Sequence, residues 1–175
     1  MPFETLRLRV RHFALEDTPE IYRLSQEAGL RRFLPDQVYA DEAEARGVLE
    51  FLIAQYADSE AIRSGVYVQA VELREGGELI GHVGLSPAEG AREIGYAIAE
   101  AHQGQGYATE LVRAVRRWAL EREPALVGIV ASDNPASIQV LEKAGFELVW
   151  ERQRELHGAL TQARTYRAEN PPPSE

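Results

Sequence analysis

The stretch Ile94-Gly95-Tyr96-Ala97-Ile98-Ala99-Glu100-Ala101-His102-Gln103-Gly104-Gln105-Gly106-Tyr107-Ala108-Thr109-Glu110 decides how this chain folds. Residues 93–99 are almost wholly apolar after one leading glutamate, which predicts a buried strand. Gly104 and Gly106 break that pattern. Beyond them, residues 107–122 predict a helix, with Leu111, Ala114, Val115 and Trp118 on one stripe. The first amides of such a helix have no intrahelical acceptor and lie at the positive end of its dipole. Glycines at that point leave the backbone bare to an approaching anion. Residues 103–108 therefore read as a candidate pyrophosphate cradle, or equally as a turn that only satisfies backbone geometry. Two rival phosphate motifs fail. No Gly-Lys-Ser/Thr is present, and a G-x-G-x-x-G fingerprint would need glycine where Thr109 stands.

Working outward, Leu6-Arg7-Leu8-Arg9-Val10-Arg11 alternates as a half-buried strand. Thr18-Pro19 signals a helix start, with Thr18 as the capping hydroxyl and Pro19 at the first helical position. Ile21, Leu24 and Ala28 mark one face of that helix. A second helix starts near Asp41, with Ala45, Val48, Leu49, Leu52, Ile53 and Tyr56 at i, i+3, i+4 spacing. Residues 66–71 and 79–85 predict a hairpin around Gly76-Gly77. Residues 126–131 predict an apolar strand. Asp133-Asn134-Pro135 opens a short helix ending at Gly145, and residues 146–150 and 161–167 predict closing strands. The order β-α-α-β-β-β-α-β-α-β-β places the chain in the α/β (α+β) class. It fits one domain over residues 1–168, with a mixed, mostly antiparallel sheet and helices on both faces. Residues 169–175, with three prolines, read as a disordered tail.

The composition narrows the function classes. Of 175 residues, 45% are hydrophobic and 27% charged, as in soluble globular proteins. No run of 18 apolar residues occurs, so no membrane span is expected. The start, Met1-Pro2-Phe3-Glu4, lacks a signal-peptide pattern, and a cytoplasmic protein is the simplest reading. The absence of cysteine excludes disulfides, thiolate metal sites and a cysteine nucleophile. The four histidines, His12, His82, His102 and His157, are scattered with no i, i+4 pair, which speaks against zinc. The net charge of −9 argues against non-specific nucleic-acid binding. Residues 1–100 hold 10 basic and 18 acidic side chains, a balance of 10 − 18 = −8, which suits a cationic ligand or merely a solvated surface.

The turn resembles the acyl-CoA motif Gln/Arg-x-x-Gly-x-Gly/Ala of the GNAT N-acetyltransferase superfamily, matched by Gln103, Gly106 and Ala108. Three more stretches resemble its RimJ/RimL-like branch of ribosomal-protein N-terminal acetyltransferases: Thr5-Leu6-Arg7-Leu8-Arg9, Leu79-Ile80-Gly81-His82-Val83-Gly84-Leu85, and Asn134-Pro135-Ala136-Ser137 followed by Leu141-Glu142-Lys143-Ala144-Gly145-Phe146. Four stretches in register make the resemblance specific over residues 4 to about 165.

This resemblance implies a single GNAT-like domain that binds acetyl-CoA as co-substrate. It gives the pyrophosphate to the backbone of Gly104, Gln105, Gly106, Tyr107 and Ala108, after Gln103. It gives the pantetheine arm to the backbone of Ile98 and Ala99, at the end of a strand that splays from residues 126–131. Asn134 and Ser137 would lie beside the pantetheine or thiol end, and Lys143 would reach a phosphate or only complement its helix dipole. Glu93 is the candidate base, or else a surface carboxylate at a strand end. Glu100 and His102 flank the cradle, where the family usually has unremarkable residues, and Tyr96 is core or substrate wall. Many members carry a tyrosine acid directly before the Glu-Lys pair; Leu141 stands there in this chain. Ser137 would then protonate sulfur, or merely bond to its own helix start.

The reaction so implied is direct acetyl transfer to a primary amine, most readily the α-amino group of a peptide or protein N-terminus. Amino acids, polyamines and drugs remain as acceptors. A catalytically idle acyl-CoA-binding module is the rival from another class, and a nucleotide-binding α/β protein is disfavoured by the failed phosphate motifs. Dimers are common in the family, and nothing in the sequence marks a dimer patch.

Overall fold

The computed structural model describes residues 2–58, 65–88 and 90–170. Its strands are β1 (Phe3–Glu4), β2 (Leu8–Arg11), β3 (Tyr67–Leu73), β4 (Leu79–Ala88), β5 (Ala91–Ile98), β6 (Ala125–Ala131), β7 (Glu147–Leu156) and β8 (Ala159–Glu169). Its α-helices are α1 (Thr18–Ser25), α2 (Ala28–Phe33), α3 (Glu42–Gln55), α4 (Tyr107–Leu120) and α5 (Pro135–Lys143). The strand order is β1-β2-β3-β4-β5-β6-β8-β7. β5 and β6 run parallel, while β2/β3, β3/β4, β6/β8 and β7/β8 are antiparallel. The mixed, mostly antiparallel sheet expected from the sequence is therefore present. Of the expected tail, Glu169 instead ends β8 opposite Ala125 and Asn170 donates to the Leu120 carbonyl, while from 171 onward it lies outside the described residues.

Backbone contacts group the chain into two compact units. The first comprises Met1–Ser86 with Gly95–Ala108, the second Pro87–Ile94 with Thr109–Glu175. In the first unit, Asp41 caps α3 by accepting the Glu44 amide at 2.9 Å, as the sequence signal predicts. The cap of α1 lies one residue earlier than expected. Asp17 flanks the helix, held by two Arg11 bonds of 2.7 and 2.9 Å, and Thr18 donates to the Leu15 carbonyl instead. Ala28 does not extend α1 but opens the separate α2. Ile21 and Leu24 of α1, Leu49 and Leu52 of α3, and Phe13 pack with Ala70, Leu79 and Ala99 into one buried cluster. Gly81 of β4 lets β5 pass close: a Cβ there would stand 2.1 Å from the Ala97 carbonyl oxygen.

The strand expected over residues 6–11 pairs only from Leu8. The Leu8 amide donates to the Thr5 hydroxyl at 3.0 Å, which bends the chain and leaves Leu6 84% exposed. Arg9 and Arg11 converge on Glu72 of β3, at 2.9 and 2.6 Å. Arg7 turns elsewhere.

In the second unit, β6, β8 and β7 lie side by side. The closing strands are longer than expected, because every residue 159–165 of β8 finds a partner on β7. α5 presses onto the face that carries Gly128, where a Cβ would meet Leu141 Cδ2 at 2.7 Å. The Tyr166 hydroxyl, from the strand beside Gly128, donates to Glu142 on that helix at 2.9 Å. Arg113 of α4 donates to the Lys143 carbonyl at 3.0 and 2.6 Å, so this part of α4 flanks α5.

Candidate active site

In the first unit, β5 ends at Ile98 and the chain turns through residues 99–106 into α4. Gln103 ties that turn back to the strand, its amide nitrogen donating to the Ile98 carbonyl at 2.8 Å. Gly104 and Gly106 both adopt left-handed backbone, at φ 73° and 83°. A Cβ at Gly104 would meet nothing, and one at Gly106 would lie 3.5 Å from Arg7 Nη2. The glycines are therefore required by backbone conformation rather than by crowding within the protein. The turn is solvent-open, and the first amides of the 14-residue α4 follow it. That is the chemistry of an anion cradle.

Arg7 is the residue that sequence reasoning missed here. Its Nη1 donates to the Gln105 carbonyl at 2.9 Å, and its guanidinium stacks 4.3 Å over the Tyr107 ring. It both fixes the turn and adds a cation to it. The alternating pattern assigned it to a strand, and no local signal carries it to residues 105–107. Glu100 and His102 have structural partners. Glu100 accepts the Gly29 amide at 2.9 Å while its own amide donates to Glu27 at 2.8 Å, and His102 meets Glu78 at 3.0 Å.

Ile98 and Ala99 are buried. The Ala99 amide donates to the Ile80 carbonyl at 2.8 Å, and its carbonyl accepts the His102 amide at 2.8 Å. Both backbone groups of Ala99 thus have partners within the protein. Tyr96 is half-buried.

The second unit holds Glu93, half-buried in β5 and in parallel register with Val127 of β6. Burial pushes its carboxyl above the ordinary range, while the charges of Arg154 and His157 pull the other way. No hydrogen bond to this carboxylate is found among the described residues. A raised, unbonded carboxylate is suited to take up a proton.

Strand register defines what shares its face. Registered partners point the same way, so Glu93 and Val127 share a face with Ile129 and Ala131 by alternation along β6. Ile129 faces Thr165 and Ala131 faces Ala163 on β8. Thr165 faces Trp150, Ala163 faces Arg152, and Thr161 faces Arg154 on β7. Gly128 and Tyr166 belong to the other face, the one covered by α5. Glu93 thus looks out from the face opposite α5, together with Trp150, Arg152 and Arg154.

Asn134 and Ser137 lie at the start of α5. The Asn134 side chain accepts the Ser137 amide at 3.1 Å, so its first job is to cap the helix. Leu141, where the resemblance would put a tyrosine, is 2% exposed and packs against Gly128. Lys143, with Arg113, Arg116 and Arg117, lines a basic recess between α4 and α5. Among the described residues no three metal-ligating side chains cluster, and no helix is long and apolar enough to cross a membrane.

Comparison with known proteins agrees with this fold. Residues 7–147 match the family model described as an acetyltransferase (GNAT) domain. An uncharacterized N-acetyltransferase of Bacillus subtilis, YoaA, is 28% identical over 149 residues, covering 82% of this chain and 81% of that protein. An acetyltransferase structure from Agrobacterium tumefaciens superposes with a TM-score of 0.74 at 26% identity, covering 97% and 95% of the two chains. RimL, a ribosomal L7/L12 α-N-protein acetyltransferase solved with coenzyme A, superposes with a TM-score of 0.77 at 21% identity, covering 94% and 95%. The match to the family model runs through both units, across the glycine turn, Glu93 and Asn134 to Glu147, and the chain belongs to the GNAT family of acetyltransferases.

Proposed function

We propose that this acetyltransferase uses acetyl-CoA and transfers the acetyl group directly to an α-amino group, that of a peptide or protein N-terminus. The observation that carries the reading is the pair of left-handed glycines at the start of α4, with Gln103 tied to Ile98 and Arg7 beside the turn. The backbone amides of Gly104, Gln105, Gly106, Tyr107 and Ala108 would hold the pyrophosphate, with Arg7 adding a positive charge. The co-substrate supplies an activated thioester.

The acceptor loses one proton before or during attack. Its nitrogen forms a bond to the acetyl carbon, the carbon–sulfur bond breaks, and CoA leaves as the thiolate. Glu93, with its raised pKa and open lone pairs, takes the ammonium proton through a water. With Leu141 buried at the family's tyrosine position, protonation of sulfur falls to solvent or to Ser137. A single carboxylate base suits an α-amine. Its pKa of about 7.7–8.0 makes neutralisation at pH 7 cost only about 1 kcal/mol, against about 4.6 kcal/mol for a lysine near 10.4. The likeness to RimL, an α-N-protein acetyltransferase by name, supports the same choice.

The test is competition at fixed acetyl-CoA between peptides with free N-termini and matched peptides that are N-terminally blocked but carry lysine. Faster acetylation of the free N-termini is expected. The opposite order would refute the assignment, and turnover confined to small amines would transfer it to that class.

A further inference from the structure

We infer that the acceptor carries a carboxylate close to its amine, and that Arg152 and Arg154 on the Glu93 face recognise it. The inference rests on the acetyltransferase reading above and names the substrate class of that same site. Three observations carry it.

The first is placement. Register puts Trp150, Arg152 and Arg154 of β7 on the face from which Glu93 looks out, opposite α5. The charges of Arg154 and His157, both on the β7–β8 hairpin, also act on the Glu93 carboxyl. His157 sits exposed at the hairpin tip in left-handed backbone, φ 51°, next to Gly158 at φ 76°, in a tight two-residue turn.

The second is the state of the two guanidiniums. Arg152 lies 4.0 Å over the Trp150 ring and Arg154 lies 5.9 Å from it, so one indole holds both. Among the described residues neither is paired with a carboxylate. The arginines of β8 differ: Arg164 pairs with Glu151 at 2.9 Å, and Arg167 pairs with Glu169. In a chain of net charge −9, two adjacent arginines ordered on tryptophan, Arg154 acting on Glu93 only through space and Arg152 with no acid partner among the described residues, are a site for an anion. A guanidinium's planar fork of N–H donors matches the geometry of a carboxylate.

The third is Thr165. It faces Trp150 in the ladder, is 7% exposed, and its hydroxyl has no partner among the described residues. A buried hydroxyl left unsatisfied costs free energy that an incoming polar group would recover. An amine destined for Glu93, a polar group for Thr165 and a carboxylate for the arginines together describe an α-amino compound with an acidic end. Two sources share that chemistry: a peptide N-terminus followed by acidic residues, and a free amino acid.

The experiment uses the full chain with acetyl-CoA and measures kcat/KM by thiol release. The probes are three matched peptides with free N-terminal serine followed by Asp-Glu, Ala-Ala or Lys-Lys, together with free glutamate and glutamine. Acidic probes should exceed neutral ones by about tenfold or more, and peptide against glutamate tells the two sources apart. Arg152→Gln with Arg154→Gln should erase that preference mainly through KM. Arg154→Glu should turn it toward the Lys-Lys peptide. Arg154→Gln should also shift the acidic limb of the pH profile upward, because a charge that lowers the Glu93 pKa is gone. Turnover of all three peptides at equal kcat/KM would overturn this inference and leave the N-acetyltransferase reading standing. If no peptide or amino acid turns over, the α-amino acceptor proposed above falls. Calorimetry of the Asp-Glu and Ala-Ala peptides against the CoA-loaded protein then decides the carboxylate site alone: binding equal for the two, or unchanged by the arginine substitutions, overturns it.

Discussion

Replacing Gly106 with alanine isolates the conformational requirement of the turn. Gly106 sits at φ 83°, and the nearest atom to an added Cβ is Arg7 Nη2 at 3.5 Å, an ordinary contact. Steric overlap therefore contributes nothing, and the whole effect is the left-handed penalty of an L-residue, about 1–2 kcal/mol. That penalty can appear in either of two places. If the variant keeps the wild-type turn, it appears as lost stability, a fall of about 2–8 °C in Tm for a chain of this size. If the turn relaxes instead, stability is spared. The amides must then be driven back on binding, and the acetyl-CoA Kd rises by about 5- to 30-fold. The two losses, read by urea unfolding and by calorimetry with acetyl-CoA, should sum to the same strain. Gly106→Glu should weaken binding further by adding an anion beside the pyrophosphate. A Gly106→Ala protein with wild-type stability and wild-type affinity would refute both the left-handed turn and the cradle.

Glu93→Gln should lower turnover with little change in acetyl-CoA affinity, and the deficit should shrink as pH rises and more amine arrives neutral; a deficit equal at pH 6 and pH 9 would remove Glu93 as the base. The raised pKa also carries a stability sign. Ionising Glu93 inside the fold is unfavourable, so its contribution is fully present below the ordinary glutamate pKa and is lost as pH rises through the folded value. Glu93→Gln should therefore match wild type in acid and exceed it in unfolding free energy once pH has risen through the folded value. Gly81→Ala places a Cβ 2.1 Å from a backbone oxygen of β5 that no side-chain rotation can relieve. It should cost about 3 kcal/mol or more by urea unfolding, and a loss under about 0.5 kcal/mol would contradict the close passage of β4 and β5.

Patterns of local origin were legible in the sequence. The glycine turn, the amphipathic stripe of α4, the Asp41 and Asn134 caps and the Gly76-Gly77 hairpin each depend on residues within a turn or two of one another. Their spacing is the physical cause of their structure. The α/β class and the mostly antiparallel sheet follow from the order of such elements, and the family resemblance follows from four short stretches in register. The Asp17 boundary of α1 was not legible, because Arg11 holds that carboxylate from a neighbouring strand. Nor was the reach of Arg7 across 98 positions to Gln105. Only the ladders decide that Glu93 of β5 and Trp150, Arg152 and Arg154 of β7 look out from one face, since a slip of one residue would send those side chains to the other side. Local sequence thus determined where an acyl-CoA turn could form. Which charges meet the acceptor was decided by strand register, a property of partners that are far apart in the chain.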